Sequence, residues 1–420
     1  MLVSCALSSP NIKAGSVDIQ GVDSKIDTIV AAMNIKINSP VLELNKVSGN
    51  DLFVNTGSNL IIDSTLASET ITAQSLNQTN TGNLLINVIN TNSTIELNNQ
   101  GDVSGQNGVT NINGPMLIIK ANNVLNLVTN IDALQIDAGV VKLNNLKGLT
   151  VSGNTSNSTF IVNGKVNANN FIANSLLDFK SGSLSGNLMA NTLKLVCGSV
   201  DLKAKIHKLD AIISGKFKIV NQGSLQIDRM QASNIDLTNF GDVNSAKQAV
   251  AGDSMVFDIQ GQAVLSTSVN RIAGQASAGI EINNSKNLKI DLIESKDGII
   301  SSGDLKLVIS GDLDVNRKLQ GNNILDVTAN SLNIPAALLA NTIILTGKEK
   351  AVINGEITSN DFTLNGANEN DLIISDTMGN VTVKMPDNNS NTNIVINSLS
   401  KLFSYQGGLG NDIVKVRVNQ

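Results

Sequence analysis

The chain has 420 residues and a net charge of −5, with 41 % apolar, 15 % charged and only 2 % aromatic residues. That much apolar content with so little net charge excludes a disordered chain. A pI near 5.0, with Lys and Arg scattered, provides no basic face for nucleic acid, and polar residues interrupt every apolar run, so no membrane span is expected.

At the N-terminus, "LVSC" (Leu2 to Cys5) resembles the end of a lipoprotein signal, but only Met1 stands ahead of it. A signal needs a basic region and an apolar stretch there. The motif therefore reads as chance or as the start of a piece, and the export signal not seen here points to a longer precursor. Cys5 and Cys197 are the two cysteines, too few for a disulfide framework or a structural zinc site.

From Val17 onward, short runs alternate apolar and polar residues. They include "VDIQ" at Val17, "LIID" at Leu60, "LLINVI" at Leu84, "IELN" at Ile95 and "LQID" at Leu134. The rhythm continues through "FIVNG" at Phe160, "LKLVC" at Leu193, "FKIVN" at Phe217 and "IDLTN" at Ile235. Period-two alternation with β-branched residues is the mark of strands. Between the runs lie Asn, Gly, Ser and Asp, which accept turn conformations. About one residue in seven is Asn, well above ordinary usage.

Runs start roughly every seven to ten residues, a spacing that admits a sandwich or a solenoid. The pattern holds without drift and without Pro-rich linkers, and the chain lacks Trp and has one Tyr. A globular core of this size would use more rings. Stacked coils instead place Ile, Leu and Val over one another, and Asn at the turns can form hydrogen-bonded ladders. The expected fold is all-β, a parallel β-helix of about 20 coils of about 20 residues. "NSAKQAVAGDSMV" from Asn244 and "PAALLANTIIL" from Pro335 have some helical character but are too short to form helices against the strand background.

The stretch Val256 to Asn316 contains "GIEINNSKNLKI" and "DGIISSGDLKL". It resembles the repeat region of large bacterial exoproteins of the filamentous-haemagglutinin type. "NILDVTANSL" at Asn323 and "NNFIANSLLDFKSGSLSG" at Asn169 have the same cadence. The resemblance implies a right-handed parallel β-helix whose role is adhesion or fibre formation, outside the cell or on the bacterial surface. The partner would be a host-cell, matrix or neighbouring-cell ligand. The secretion domain of that family is not recognisable here.

Residues 1–365 are expected to form the β-helix. Residues 366–420 form a C-terminal β segment that continues or caps it, with two Gly-Asn-Asp turn units resembling degenerate repeats-in-toxin units. The second unit, "GGLGNDIVK" (Gly407 to Lys415), fits the nonapeptide G-G-x-G-x-D-x-U-x, which binds calcium in tandem arrays. Asp412 with the carbonyls around Gly408 and Gly410 would supply hard oxygen ligands, and Asp371 in "NENDLII" would do so in the first unit. A β-roll site needs stacked consecutive repeats, and none adjoins Gly407, so the competing reading is that Asn-Asp closes a turn.

No other cofactor is expected, and no enzyme activity. A single histidine, His207, builds neither a triad nor a two-histidine metal site, and reads as an exposed strand residue. Asp201, Asp210, Asp228, Asp236 and Asp291 read as single outward residues, whereas glycosidases need paired carboxylates in a cleft. Acceptor-type Asn-x-Ser/Thr sites, such as Asn77 and Asn154, follow from composition alone. The expected function is a non-catalytic structural or adhesive rod. The alternatives are a polysaccharide-acting β-helix enzyme and a self-assembling filament subunit, the latter because uncapped strand ends invite end-to-end self-association.

Overall fold

A computed structural model of the chain describes residues 2–3, 7–20, 23–366, 369–374, 380–384, 392–396, 402–407 and 409–416. They form an all-β solenoid of about 21 turns, with parallel strands and no helix. Among the described residues, therefore, no helix is long and apolar enough to cross a membrane. The chain divides into two compact units, Met1–Lys203 and Ala204–Gln420.

In the first unit, identical positions of successive coils stack into columns. One inward column runs Val17, Ile35, Leu52, Glu69 and Ile86, each pairing with the next at steps of 17 or 18 residues. A second runs Ile19, Ile37, Val54, Ile71, Ile89 and Ile112. These are all buried, and each large aliphatic side chain taken from water contributes about 1.5–3 kcal/mol. Alternation makes this possible: on Asn59–Ala73 the inward Leu60, Ile62, Leu66 and Ile71 are buried while Ile61, Asp63 and Thr65 face out.

The interior is not purely aliphatic. Six of the nine Phe are fully buried. Three of them meet inside the strand Leu149–Ile213: Phe160 stacks on Phe179 at 5.0 Å between ring centroids and meets Phe171 edge-on at 5.6 Å. Stacked and edge-on arrangements at these separations are the favoured geometries of aromatic pairs.

The second unit repeats the plan. Its inward column runs Phe217, Ile235, Met255, Ile272, Ile290 and Val315. The two stretches with helical character are strand and turn: Val243–Ser245 leads by a short loop into Val250–Ile259, and Leu338–Leu339 is followed by Thr342–Ile353. The pairing also runs through the C-terminal segment. Asp361–Asn365 pairs with Asn380–Lys384, which pairs with Phe403–Gln406, and Thr392–Ile396 pairs with Ile413–Val416.

Asparagines at the corners tie coil to coil. Asn221 is fully buried; its Oδ1 accepts from the Ile206 N–H at 2.9 Å and its Nδ2 donates to the Ile206 and Gly223 carbonyls and to Asn239 Oδ1 at 2.9 Å. Asn145 clasps both backbone groups of Ile131 in the same way, and Asn284 those of Val269. Each satisfies buried backbone groups where the strand ladder breaks to turn. The only antiparallel pair among the described residues is a small hairpin, Leu292–Ile293 with Lys296–Asp297.

Candidate functional site

The residues singled out in the sequence do not gather at one place. Gly408 lies outside the described residues. Gly410 and Asp412 precede the strand Ile413–Val416. Asp412 folds back over Gly407: a Cβ built there would meet Asp412 Oδ2 at 2.6 Å and the Tyr405 ring at 3.0 Å. A side chain at 407 would therefore displace the carboxylate. Asp371 lies in Glu369–Ile374, and its backbone pairs with Asn393, which pairs in turn with Ile413. The backbones of Asp371 and of the strand that Asp412 leads into are thus two strand spacings apart, about 10 Å. Among the described residues no group of three or more His, Cys, Asp and Glu could hold a metal ion.

The outward acids meet cations on neighbouring coils. Arg229 Nε bonds Asp210 at 2.7 Å, Lys208 Nζ bonds Asp228 at 2.9 Å and Arg271 Nη2 bonds Asp291 at 3.1 Å. Asp236 stands 4.0 Å from Lys218. Asp201 and His207 are exposed on Leu149–Ile213. Cys197 is buried beside Ser181 Oγ at 3.2 Å, and burial pushes its thiol up from the ordinary value. That environment keeps it protonated and unreactive.

Two shallow grooves open on the first unit. In one, of about 460 Å³, Thr28, Lys46, Asp63 and Thr79 line one bank, in register on four successive coils. On the other bank the hydroxyls of Thr65 and Thr81 are 2.9 Å apart. The second groove, of about 540 Å³, has Asn98, Lys120 and Asp137 in register. Each groove is lined by a single carboxylate, Asp63 or Asp137. The grooves run across coils, the direction in which a linear ligand would find a repeating set of hydroxyls and amides.

The least expected residue is Glu69. It occupies the inward column between Leu52 and Ile86 and has no exposed surface. Gln78 Nε2 donates to its Oε2 at 2.7 Å and to Ser64 Oγ at 2.9 Å. Ser64 Oγ donates to Asn80 Oδ1 at 2.9 Å, and Asn80 Nδ2 donates to Asn99 Oδ1 at 2.7 Å. Glu69 Oε1 and Gln78 Oε1 have no protein partner. Burial pushes the carboxyl up to about 7, the Gln78 hydrogen bond opposing it. The cause is the loss of water around the charged form. Sequence reading passed over Glu69; the available signal was that "SETIT" breaks strict alternation, with Ser68 and Glu69 both buried.

No protein-family model, no curated protein and no solved structure matches the chain.

Proposed function

We propose that the chain is a non-catalytic structural and adhesive segment of a secreted or surface-attached exoprotein, of the filamentous-haemagglutinin kind that its repeat phrasing resembles. One observation carries this reading: the polar chemistry joins coil to coil. Corner asparagines clasp the backbone of the preceding coil, and outward acids meet cations of neighbouring coils. A fold so bound repeats its surface at a fixed spacing along the stack. Such a surface suits many weak contacts with a host, matrix or neighbouring-cell ligand.

Display of the chain on a non-adherent bacterium tests the proposal. Retention of those cells on host-cell or matrix surfaces, with no sugar released from a panel of polysaccharides, is the expected result. Release of reducing ends by the purified chain would place it among polysaccharide-acting enzymes instead.

A second reading, a self-assembling filament subunit, is favoured by the coil around Phe403–Gln406 and Ile413–Val416. There Leu402 and Leu409 are 67 % and 75 % exposed, and Ile413 is 54 % exposed. Under that reading light scattering of the purified chain would show growth with concentration. In the same coil, Asp412 is the residue proposed to hold calcium.

A further inference from the structure

The inter-coil side-chain bonds described above join residues no more than 20 positions apart, as in Asn145 with Ile131 and Lys208 with Asp228. The hairpin Leu292–Asp297 departs from this. Glu294 Oε1 accepts from Lys216 Nζ at 2.8 Å, across 78 positions, and Lys296 Nζ donates to Asp258 Oδ2 at 2.7 Å, across 38. The column through Lys216, Asn234, Ser254, Arg271 and Lys289 shows that Glu294 reaches back over four coils.

The hairpin is an insertion at one corner. In the preceding coil a single residue, Ala273, separates Ile272 from Gly274; in this coil Asp291 to Gly298 fill the equivalent gap between Ile290 and Ile299. Glu294 at φ 53° and Gly298 at φ 84° turn the chain out and back, and a Cβ at Gly298 would lie 2.0 Å from the Lys318 carbonyl.

The seat has an apolar centre and an ionic rim. The hairpin packs on Val250–Ile259 and Ala263–Ala276. Within those strands Val256 and Ala273 lie on the outward side of the alternation, yet both are buried. Around them Arg271 Nη2 bonds Asp291 at 3.1 Å and the Leu292 carbonyl at 3.3 Å, and Arg317 Nε reaches Asp297 at 3.5 Å. Gln275 Nε2 holds the other oxygen of Asp258 at 3.1 Å.

We propose that this hairpin is an electrostatic strap that makes the coils from Lys216 to Arg317 open as one unit and that salt releases it. A solenoid is otherwise close to one-dimensional, each coil stabilised only by its neighbours, so coils can open locally and separately. A bridge from one coil to another four away couples coils that do not touch. The rim is half-exposed, so salt weakens it. The inference is independent of the adhesive role, because it concerns only how the coils open.

Hydrogen exchange on the full chain tests it, comparing wild type with Glu294→Gln and with a deletion of residues 292–297. Amide protection in Lys216–Gln222, Asn234–Phe240 and Val250–Ile259 is expected to fall together, by about tenfold in the deletion, the scale of a few surface ion pairs, and by about twofold to fivefold in Glu294→Gln, the scale of one. Wild type should show the same joint fall at about 1 M salt, where screening is nearly complete. Glu43→Gln, which breaks the exposed Lys25–Glu43 pair, should leave these strands unchanged. A fall confined to Ala263–Ala276 and Leu288–Ile290, with Lys216–Gln222 unaffected, would overturn the proposal. Salt-insensitive protection would also overturn it. If the deletion fails to fold, Glu294→Gln decides.

Discussion

Gln78 gives Glu69 its one hydrogen bond, 2.7 Å from Nε2 to Oε2, inside a column whose neighbours above and below are Leu52 and Ile86. A carboxyl in that position is easier to bury protonated than charged.

Stability should therefore depend on pH through this one group. The folded carboxyl, pushed up from 4.5 to about 7, binds its proton more tightly than the unfolded one. Its contribution is complete below the unfolded value and is lost as pH rises through the folded value, on the order of 3 kcal/mol in all. Denaturant midpoints between about pH 4 and 8 should fall in wild type and stay nearly level in Glu69→Gln. An equal slope in the variant would assign the dependence elsewhere.

Asn221→Ala should destabilise the second unit by about 2–4 kcal/mol, because it strands the Ile206 N–H and leaves Asn239 Oδ1 without its donor. Asn221→Asp keeps the shape but turns an oxygen toward the Ile206 and Gly223 carbonyls. It should cost at least as much. If Asp were tolerated and Ala not, packing rather than hydrogen bonding would explain the site. Chemical denaturation of both variants separates the two accounts.

Phe160→Ala should cost about 3–5 kcal/mol, the range for emptying a buried aromatic site, since it removes the contacts to both Phe171 and Phe179. Phe53→Ala, at a residue 42 % exposed, should change stability little. Equal losses for the two would mean that the stacked rings add nothing beyond ordinary strand packing.

If Asp412 holds calcium, millimolar calcium should raise the melting temperature of the chain and Asp412→Ala should abolish the rise, as for any ligand that binds only the folded state. Absence of a rise in wild type would leave Asp412 as the residue that closes the turn over Gly407.

Much of the solenoid was legible because period two, Asn at corners and steady run spacing all reported the same geometry. Leu60, Ile62 and Leu66 could be assigned inward from alternation alone, and Asp210 and Asp228 outward. The stacking partner of Asp210, Arg229, was not legible, since the pairing there slips at Leu209 and Asp210. Glu69 escaped for a similar reason: the ladder shifts between Glu69 and Thr70, so counting by twos from Leu66 leads to Ser68 and Thr70 and passes over Glu69. The hairpin was hidden more thoroughly. In "DLIESKDGII" two apolar residues are followed by five polar or Gly residues and two more apolar ones, the same make-up as the ordinary turns between runs elsewhere in the chain. Only the long step from Ile290 to Val315 separates it from the shorter steps before it.

That long step also bears on variation. Ile290 pairs with Ile272 before the insertion and with Val315 after it, so the extra residues of Asp291 to Gly298 leave the stacked column uninterrupted. The columns fix which substitutions the interior accepts, while the corners admit whole segments without disturbing it. Two such chains could therefore share a frame and differ almost entirely in what their corners display, and transplanting the segment Asp291 to Gly298 onto the equivalent corner at Ala273 would be a direct trial of that freedom.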